Sequence, residues 1–316
     1  MAVLALIAAA FLLAAPAFLG PFWLRILASV FMYAVLAQGM NIMAGFTGYP
    51  AFGNVVFFGL SGYTTAILMV KLKLPFAVAI LGGVALCPLV VLAIGPPLLR
   101  LKGHYFAIAT LGFNEAVREV VSNVSDLTGG GMGLSLPVPP WGPAANAAIF
   151  YYLFLAAMVL ATLAVREFSR RRLGIACRAI RDNEEKAEAV GLYTTRYKTT
   201  AWMLSATMTG AVGGINAYWM TYIDPPTVFD MAISVKSFVI FLLGGAGTVL
   251  GPVAGAFFIE LLATFTWSKL LNWHSGAMGA IIILVVLFAP NGFREALRRM
   301  PVLGSLRAGA SNTPTR

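Results

Sequence analysis

The sequence predicts an all-α, polytopic transmembrane helical bundle of about eight to ten spans with broken or re-entrant segments, and three observations predict it. Of 316 residues, 59% are hydrophobic and 11% charged, against roughly 45–50% and 25% in a soluble domain. Uncharged runs from Met1 to Leu24, Phe76 to Leu99 and Trp141 to Val165 reach the ~20 residues that carry a helix across the bilayer core. In lipid such runs must be helical, because each backbone group is satisfied within its own segment. The net charge of +10 lies in short stretches between apolar runs, the pattern of cytoplasmic loops rather than of a nucleic-acid-binding surface.

Ten apolar segments follow one another at about residues 2–19, 24–45, 54–70, 76–99, 104–122, 146–165, 199–220, 233–250, 252–268 and 275–290. The first contains Ala15-Pro16-Ala17, which looks like a signal-peptidase site. No Lys or Arg precedes it, so it reads as a span. Residues 1–300 form one transmembrane domain, and 301–316 read as a disordered tail. The stretch 166–198 holds nine Lys or Arg residues and the chain after Pro290 five more, so both are expected in the cytoplasm. Counting back from Arg166 places the N-terminus inside and Ser122 to Asn146 outside. Arg25, Lys71 and Lys73 then fall outside, against the charge rule.

Two stretches must break. From Ala232 to Trp267 the chain stays largely apolar for 36 residues, about 54 Å of helix and nearly twice the membrane core, and Gly251-Pro252 is where proline would interrupt it. Gly45-Phe-Thr-Gly48-Tyr-Pro50-Ala-Phe-Gly53 interrupts another apolar run with three glycines and a proline. Irregular backbone at membrane depth needs cover from protein or a water-filled cavity, and such breaks often line transport sites; an ordinary interhelical turn is the other reading.

No catalytic constellation is visible. His104 and His274 stand alone, and Cys87 and Cys177 lack metal-like spacing. Neither Thr128-Gly-Gly-Gly-Met-Gly133 nor Gly244-Gly-Ala-Gly247 supplies the Gly-Lys-Ser/Thr of a phosphate-cradling loop, so nucleotide energy would have to come from another chain. Gly247, Gly251 and Gly255 recur every four residues, which predicts one flat helix face for close packing, or for meeting a partner subunit. Lys236 and Glu260 read as lone charges near span ends. Glu115, Arg118 and Glu119 share a face of the fifth segment, either lining a cavity with Asn114 or forming a structural ion pair. Asn41, Asn54, Asn114, Glu115, Glu119 and Thr128 are the candidate pathway residues.

Between Ile175 and Val190 the residues Ala176, Ile180, Asn183, Ala187 and Val190 recur in steps of four and three, with charges elsewhere around the circle. That spacing predicts one short amphipathic helix bracketed by Gly174 and Gly191. Its size suits docking into a groove on a cytosolic partner.

Four stretches resemble the LIV-type permease family, specifically the M-type subunit of branched-chain amino-acid ABC importers. They are Gly39 to Gly48 with Phe57 to Tyr63; Leu101 to Glu115 with Leu127 to Gly130 and Gly133-Leu134; Gly174 to Gly191; and Leu243 to Ala256. The resemblance runs from about Gly39 to Phe293. It implies a bacterial inner-membrane protein working with a second permease chain, usually as a heterodimer, with two cytosolic ATPase subunits that use the ATP, and with a periplasmic solute-binding protein. It implies no cofactor on this chain. By similarity, Gly174 to Gly191 is the cytoplasmic coupling helix, docking the ATPase through Ala176, Ile180, Asn183, Glu184, Ala187, Val190 and Gly191.

One departure bears on the substrate. After Gly48 the family usually has a Ser and then Gly-His, where this chain has Ala51 and Gly53-Asn54. Relatives handle urea, short amides and carboxylates as well as leucine, isoleucine and valine. An ion-coupled secondary transporter is the main rival, for which Glu115 and Glu119 would be the coupling carboxylates. A membrane enzyme would need a nucleophile or metal cluster that the sequence does not offer.

Overall fold

The structure, a computed structural model, describes residues 12–269 and residue 279. Residues 2–11 of the predicted first span, most of the predicted span at 275–290, His274 and the tail at 301–316 lie outside the described residues, and residues 12–18 of that first span are helical. Eight of the ten predicted segments coincide with helices: α1 (Pro21–Met40), α2 (Val55–Val70), α3 (Phe76–Leu98), α4 (His104–Asn123), α5 (Pro143–Arg170), α8 (Thr194–Met220), α9 (Met231–Gly244) and α10 (Gly251–Lys269). Two short helices, α6 (Arg172–Asp182) and α7 (Glu184–Ala189), join α5 to α8. Among the described residues, five stretches are long and apolar enough to cross a membrane, at 21–46, 52–70, 76–98, 143–170 and 225–244. Prolines pre-set the first helical turn of α1 and α5, where the missing N–H costs nothing.

Helix α8 sits at the centre, packed against α1, α2, α3 and α5. It is more polar than a lipid-facing span and can be, because protein surrounds it. With no hydrophobic drive between helices in lipid, close approach through small residues supplies the attraction. A Cβ on Gly213 would lie 2.2 Å from the carbonyl oxygen of Phe58, and one on Gly210 2.5 Å from Sγ of Cys87. Helix α3 meets this core through Ala79, Gly83, Cys87, Val91 and Gly95, every fourth residue. Its other faces present Val78, Leu81, Leu89 and Leu92 outward.

At the end remote from α6 and α7, the chain forms the one departure from an all-α fold among the described residues. Strand β1 (Leu134–Ser135) pairs antiparallel with β2 (Tyr222–Ile223). Gly133 makes this possible: its φ is +72° and a Cβ there would lie 2.2 Å from the carbonyl oxygen of Ile223, so no other residue lets the loop approach β2 so closely.

Both predicted breaks are present, with altered detail. Residues Asn41–Phe46 continue α1 as a π-helix and Phe52–Asn54 form a 3-10 turn before α2. The second break occupies residues 245–250, and Pro252 lies inside the first turn of α10 rather than in the gap. This corrects the reading of a single glycine face. Gly247 is in the loop with φ +73°, while Gly251 and Gly255 approach the carbonyl oxygens of Gly244 and Ile240 on α9 of the same chain, at 2.2 and 2.3 Å from their would-be Cβ atoms. Lys236 and Glu260 are not lone charges: they pair at 2.5 Å between α9 and α10, with the ammonium 4.0 Å from the Tyr33 ring.

Gly213→Leu should separate α8 from α2 and lower the stability of the purified chain by at least the ~1–3 kcal/mol typical of overpacking. Gly112, exposed on α4 with nothing within 4 Å of its would-be Cβ, gives the opposite sign: Gly112→Ala should raise stability by up to ~1 kcal/mol. Melting temperatures in detergent test both, and a Gly213→Leu chain that melts like wild type refutes the packing assignment.

Candidate functional site

Three polar clusters tie the α1–α2 break to its surroundings, and two of them reach the segment α6–α7. The deepest centres on Lys198 in the first turns of α8, whose side chain is 2% exposed. An ammonium has three donors, and each finds an oxygen from a different element: Oε1 of Glu184 on α7 at 2.6 Å, the hydroxyl of Tyr49 in the break at 3.2 Å, and the carbonyl of Leu99 at the end of α3 at 3.1 Å. The Tyr49 hydroxyl in turn donates to Oε2 of Glu184, and the ammonium stands 4.3 Å from the Tyr49 ring centroid. Burial pushes the Glu184 carboxyl up, but the hydrogen bonds from Lys198 and Tyr49 and the Lys198 charge outweigh it, holding Glu184 below the usual carboxylate range.

The second cluster joins α6 to both breaks. Nη1 of Arg181 donates to the carbonyl oxygen of Gly45 at 2.7 Å. At Gly45 a Cβ would lie 2.2 Å from Oδ1 of Asn41 and 2.7 Å from the amide nitrogen of Gly247, so the two breaks touch backbone to backbone there. Asn41 secures that contact, accepting from Gly247 N–H and donating to the Thr248 carbonyl, both at 2.8 Å. Gln38 donates to the Val249 carbonyl at 2.6 Å. Gly48, at φ +76°, turns the chain directly beneath Cγ of Arg181.

The third cluster seals the far half of the α1–α2 break. Asn54 donates to the hydroxyls of Ser205 and Thr209 at 3.1 and 2.8 Å and accepts from the Trp202 indole at 3.3 Å. Ser205 donates to the Gly39 carbonyl at 2.8 Å. Backbone amides of Gly53 and Val55 donate to Thr110 and Ser234. Such coverage is what irregular backbone in a membrane requires.

Against the sequence-based reading, the segment from Ile175 to Val190 is two helices and not one. Asn183 is extended, with φ −165° and ψ 107°, and its side chain caps α7 by accepting from Lys186 N–H at 2.9 Å; a short polar residue competes for the backbone in this way. Gly174 does not bracket the segment but lies inside α6, against the Phe168 carbonyl. The predicted docking residues divide. Ala176, Ile180 and Ala187 are buried in this chain, so the apolar side of the pattern packs inward, and Glu184 is taken by Lys198. Val190 and Gly191 remain outward, with Ile175 and Tyr193 also exposed.

The candidate pathway residues also have assigned partners. Asn41 and Asn54 serve the clusters above. Asn114 is buried and donates to the Phe229 carbonyl at 3.0 Å, and Thr128 donates to the carbonyls of Val121 and Val124. Glu115 pairs with Arg118 at 3.1 Å on a half-exposed face of α4, and Glu119 accepts from Asn123 at 2.8 Å. Sequence reasoning missed Gln38, Tyr49, Arg181 and Lys198. A lysine in the first turns of a span reads as a snorkelling side chain, and its three acceptors lie 14, 99 and 149 residues away along the chain.

The model of the family described as "Branched-chain amino acid transport system / permease component" matches residues 22–287. The high-affinity branched-chain amino acid transport system permease protein LivM of Salmonella typhimurium is 28% identical over 298 residues, covering 84% of this chain and 68% of the relative. LivM of Escherichia coli K12 is 27% identical over 297 residues with the same coverage. LivH of E. coli K12, a permease protein of the same description, is 28% identical over 148 residues, 46% of each chain.

Lys198→Met should cost on the order of 3 kcal/mol of stability by leaving Glu184 without its cation, and Lys198→Met with Glu184→Gln should cost less than the two changes added. The pH dependence has a fixed sign. Because folded Glu184 titrates below its unfolded value of 4.5, its contribution is fully present above that value and is lost as pH falls through the folded one. The stability gap between wild type and Glu184→Gln should therefore close on acidification from about pH 6 to about pH 3; a gap that widens would refute the pair.

Proposed function

The chain belongs to the branched-chain amino acid transport permease family, and on that premise we propose that it is the membrane-spanning permease of an ABC importer for branched-chain amino acids or a related small polar solute. Separate ATPase subunits energise it, a second permease chain completes the conduit, and a solute-binding protein delivers the cargo. The chain itself carries out no covalent chemistry. The α6–α7 segment and both chain termini face the cytoplasm.

One observation carries this reading: the short helices α6 and α7 are wired through Arg181 and through Glu184–Lys198 to both breaks in the transmembrane bundle. A push on α6–α7 is then felt at Gly45, at the Gly247 loop, at Tyr49 and at the foot of α8. A two-state membrane domain biased from one end in this way opens and closes without a solute-driven chemical step. The outward residues Ile175, Val190 and Tyr193 offer the surface on which an ATPase groove would act. Asn54 stands where the family usually has histidine, and both its amide hydrogens are used within the chain, so it organises the break rather than selecting solute.

In the complex reconstituted with its ATPases and binding protein, leucine, isoleucine or valine should stimulate ATP hydrolysis and accumulate inside proteoliposomes. Arg181→Ala should leave hydrolysis within about twofold of wild type while transport falls about tenfold or more, a coupling loss of ~1.4 kcal/mol or above. Val190→Asp should instead weaken ATPase association. Uphill uptake by the chain alone in an ion gradient would overturn the proposal in favour of a secondary transporter.

A further inference from the structure

Two cavities on one flank of the bundle play no part in the coupling network, and they line up along the same three helices. At the β1–β2 end, a cavity of about 530 Å³ is lined by Arg25 on α1, by Trp141 and Asn146 at the start of α5, and by Trp219 and Thr221 at the end of α8. A second, of about 390 Å³, is a groove with Leu153, Ala157 and Leu160 of α5 on one wall, Leu204 and Ala211 of α8 on the other, and Val35 of α1 between them. On every helix the groove residues lie deeper than the mouth residues. Leu153 is seven positions beyond Asn146, and Ile215 is four positions before Trp219, which puts the groove about 6–10 Å beneath the mouth. From Leu204 to Ile215 it extends about 17 Å, close to half of a ~30 Å hydrocarbon core.

The chemistry changes along this path as it does along a phospholipid. The mouth contains a cation, Arg25, that enters none of the ion pairs among the described residues, and none of the described residues that line the cavity is acidic. Trp141 and Trp219 are the aromatic type that settles at headgroup depth. Below them the groove is apolar. The one hydroxyl among its described lining residues, on Thr207, is turned into its own helix and donates to the Met203 carbonyl.

We propose that these two cavities form a binding site for one anionic phospholipid, of the phosphatidylglycerol type. The phosphate pairs with Arg25, and one acyl chain lies between α5 and α8. A phosphatidylethanolamine ammonium would meet Arg25 and find no carboxylate. The site explains why Arg25 stands where the distribution of basic residues along the chain disfavours it, and it is independent of the transport reading.

The test titrates the purified full-length chain with phosphatidylglycerol or phosphatidylethanolamine of identical acyl chains and counts retained lipid by native mass spectrometry. Phosphatidylglycerol should be retained about fivefold better, the size of one arginine–anionic lipid contribution. Arg25→Gln should bring the two lipids to parity, and Ala211→Phe, which fills the groove, should lower retention of both. A photoreactive residue at position 160 should label lipid in native membranes, a readout that does not depend on either variant folding. Equal retention of the two lipids by wild type, an undiminished preference in Arg25→Gln, or labelling of protein from position 160 would overturn the proposal.

Discussion

A helix that breaks inside a membrane exposes carbonyls and amides that lipid cannot satisfy, and the arrangement of this chain follows from how those groups are covered. The α1–α2 break alone draws on side chains from α4, α6, α8 and α9: Thr110 for the amide of Gly53, Arg181 for the carbonyl of Gly45, the Asn54–Ser205–Thr209–Trp202 cluster, and Ser234 for the amide of Val55. The second break is covered chiefly by α1 through Gln38 and Asn41. Each break is thus part of the other's cover, and neither can be rearranged alone. The central position of α8 has the same origin, since a helix carrying Ser205, Thr209 and Lys198 is tolerated only with protein around it.

Lys198 and Arg181 divide the work between charge and geometry. The lysine ammonium is nearly inaccessible and gathers three oxygens from three elements, which suits a fixed post. The arginine holds one carbonyl through a long side chain that is 38% exposed, which suits a joint that slides. Between them they make the short helices on the α5–α8 connection a continuation of the bundle rather than an appendage. Cys177, buried in α6 with its thiol pushed up to about 12 by that burial, is packing within this joint and not a reactive group.

The sequence made the membrane class legible because length and apolarity decide it, and it made both breaks legible because glycine and proline punctuate otherwise continuous runs. Four-residue spacing picked out Gly251 and Gly255, which lie against α9, but could not say whether the neighbour was another subunit or the preceding helix. The amphipathic pattern around Ile180 was also real, yet periodicity reports only that one side is apolar, not that this side faces a partner. Here Ala176, Ile180 and Ala187 pack inward and the docking inference from them fails. Clusters such as Lys198 with Tyr49, Leu99 and Glu184 are invisible to any local window, because their members come together only when four elements are assembled. Lys236 and Glu260 were each visible; their pairing required the hairpin to close.

The extended residue at Asn183 has a mechanical meaning. A continuous helix resists bending, whereas one extended residue passes tension and little else, so α6 and α7 are separate crank arms on a common pivot. The first is pinned at Gly45 and the second at the foot of α8. An off-centre load therefore turns one arm before the other, and whether the Gly45 contact or the foot of α8 moves first is written into where the load lands.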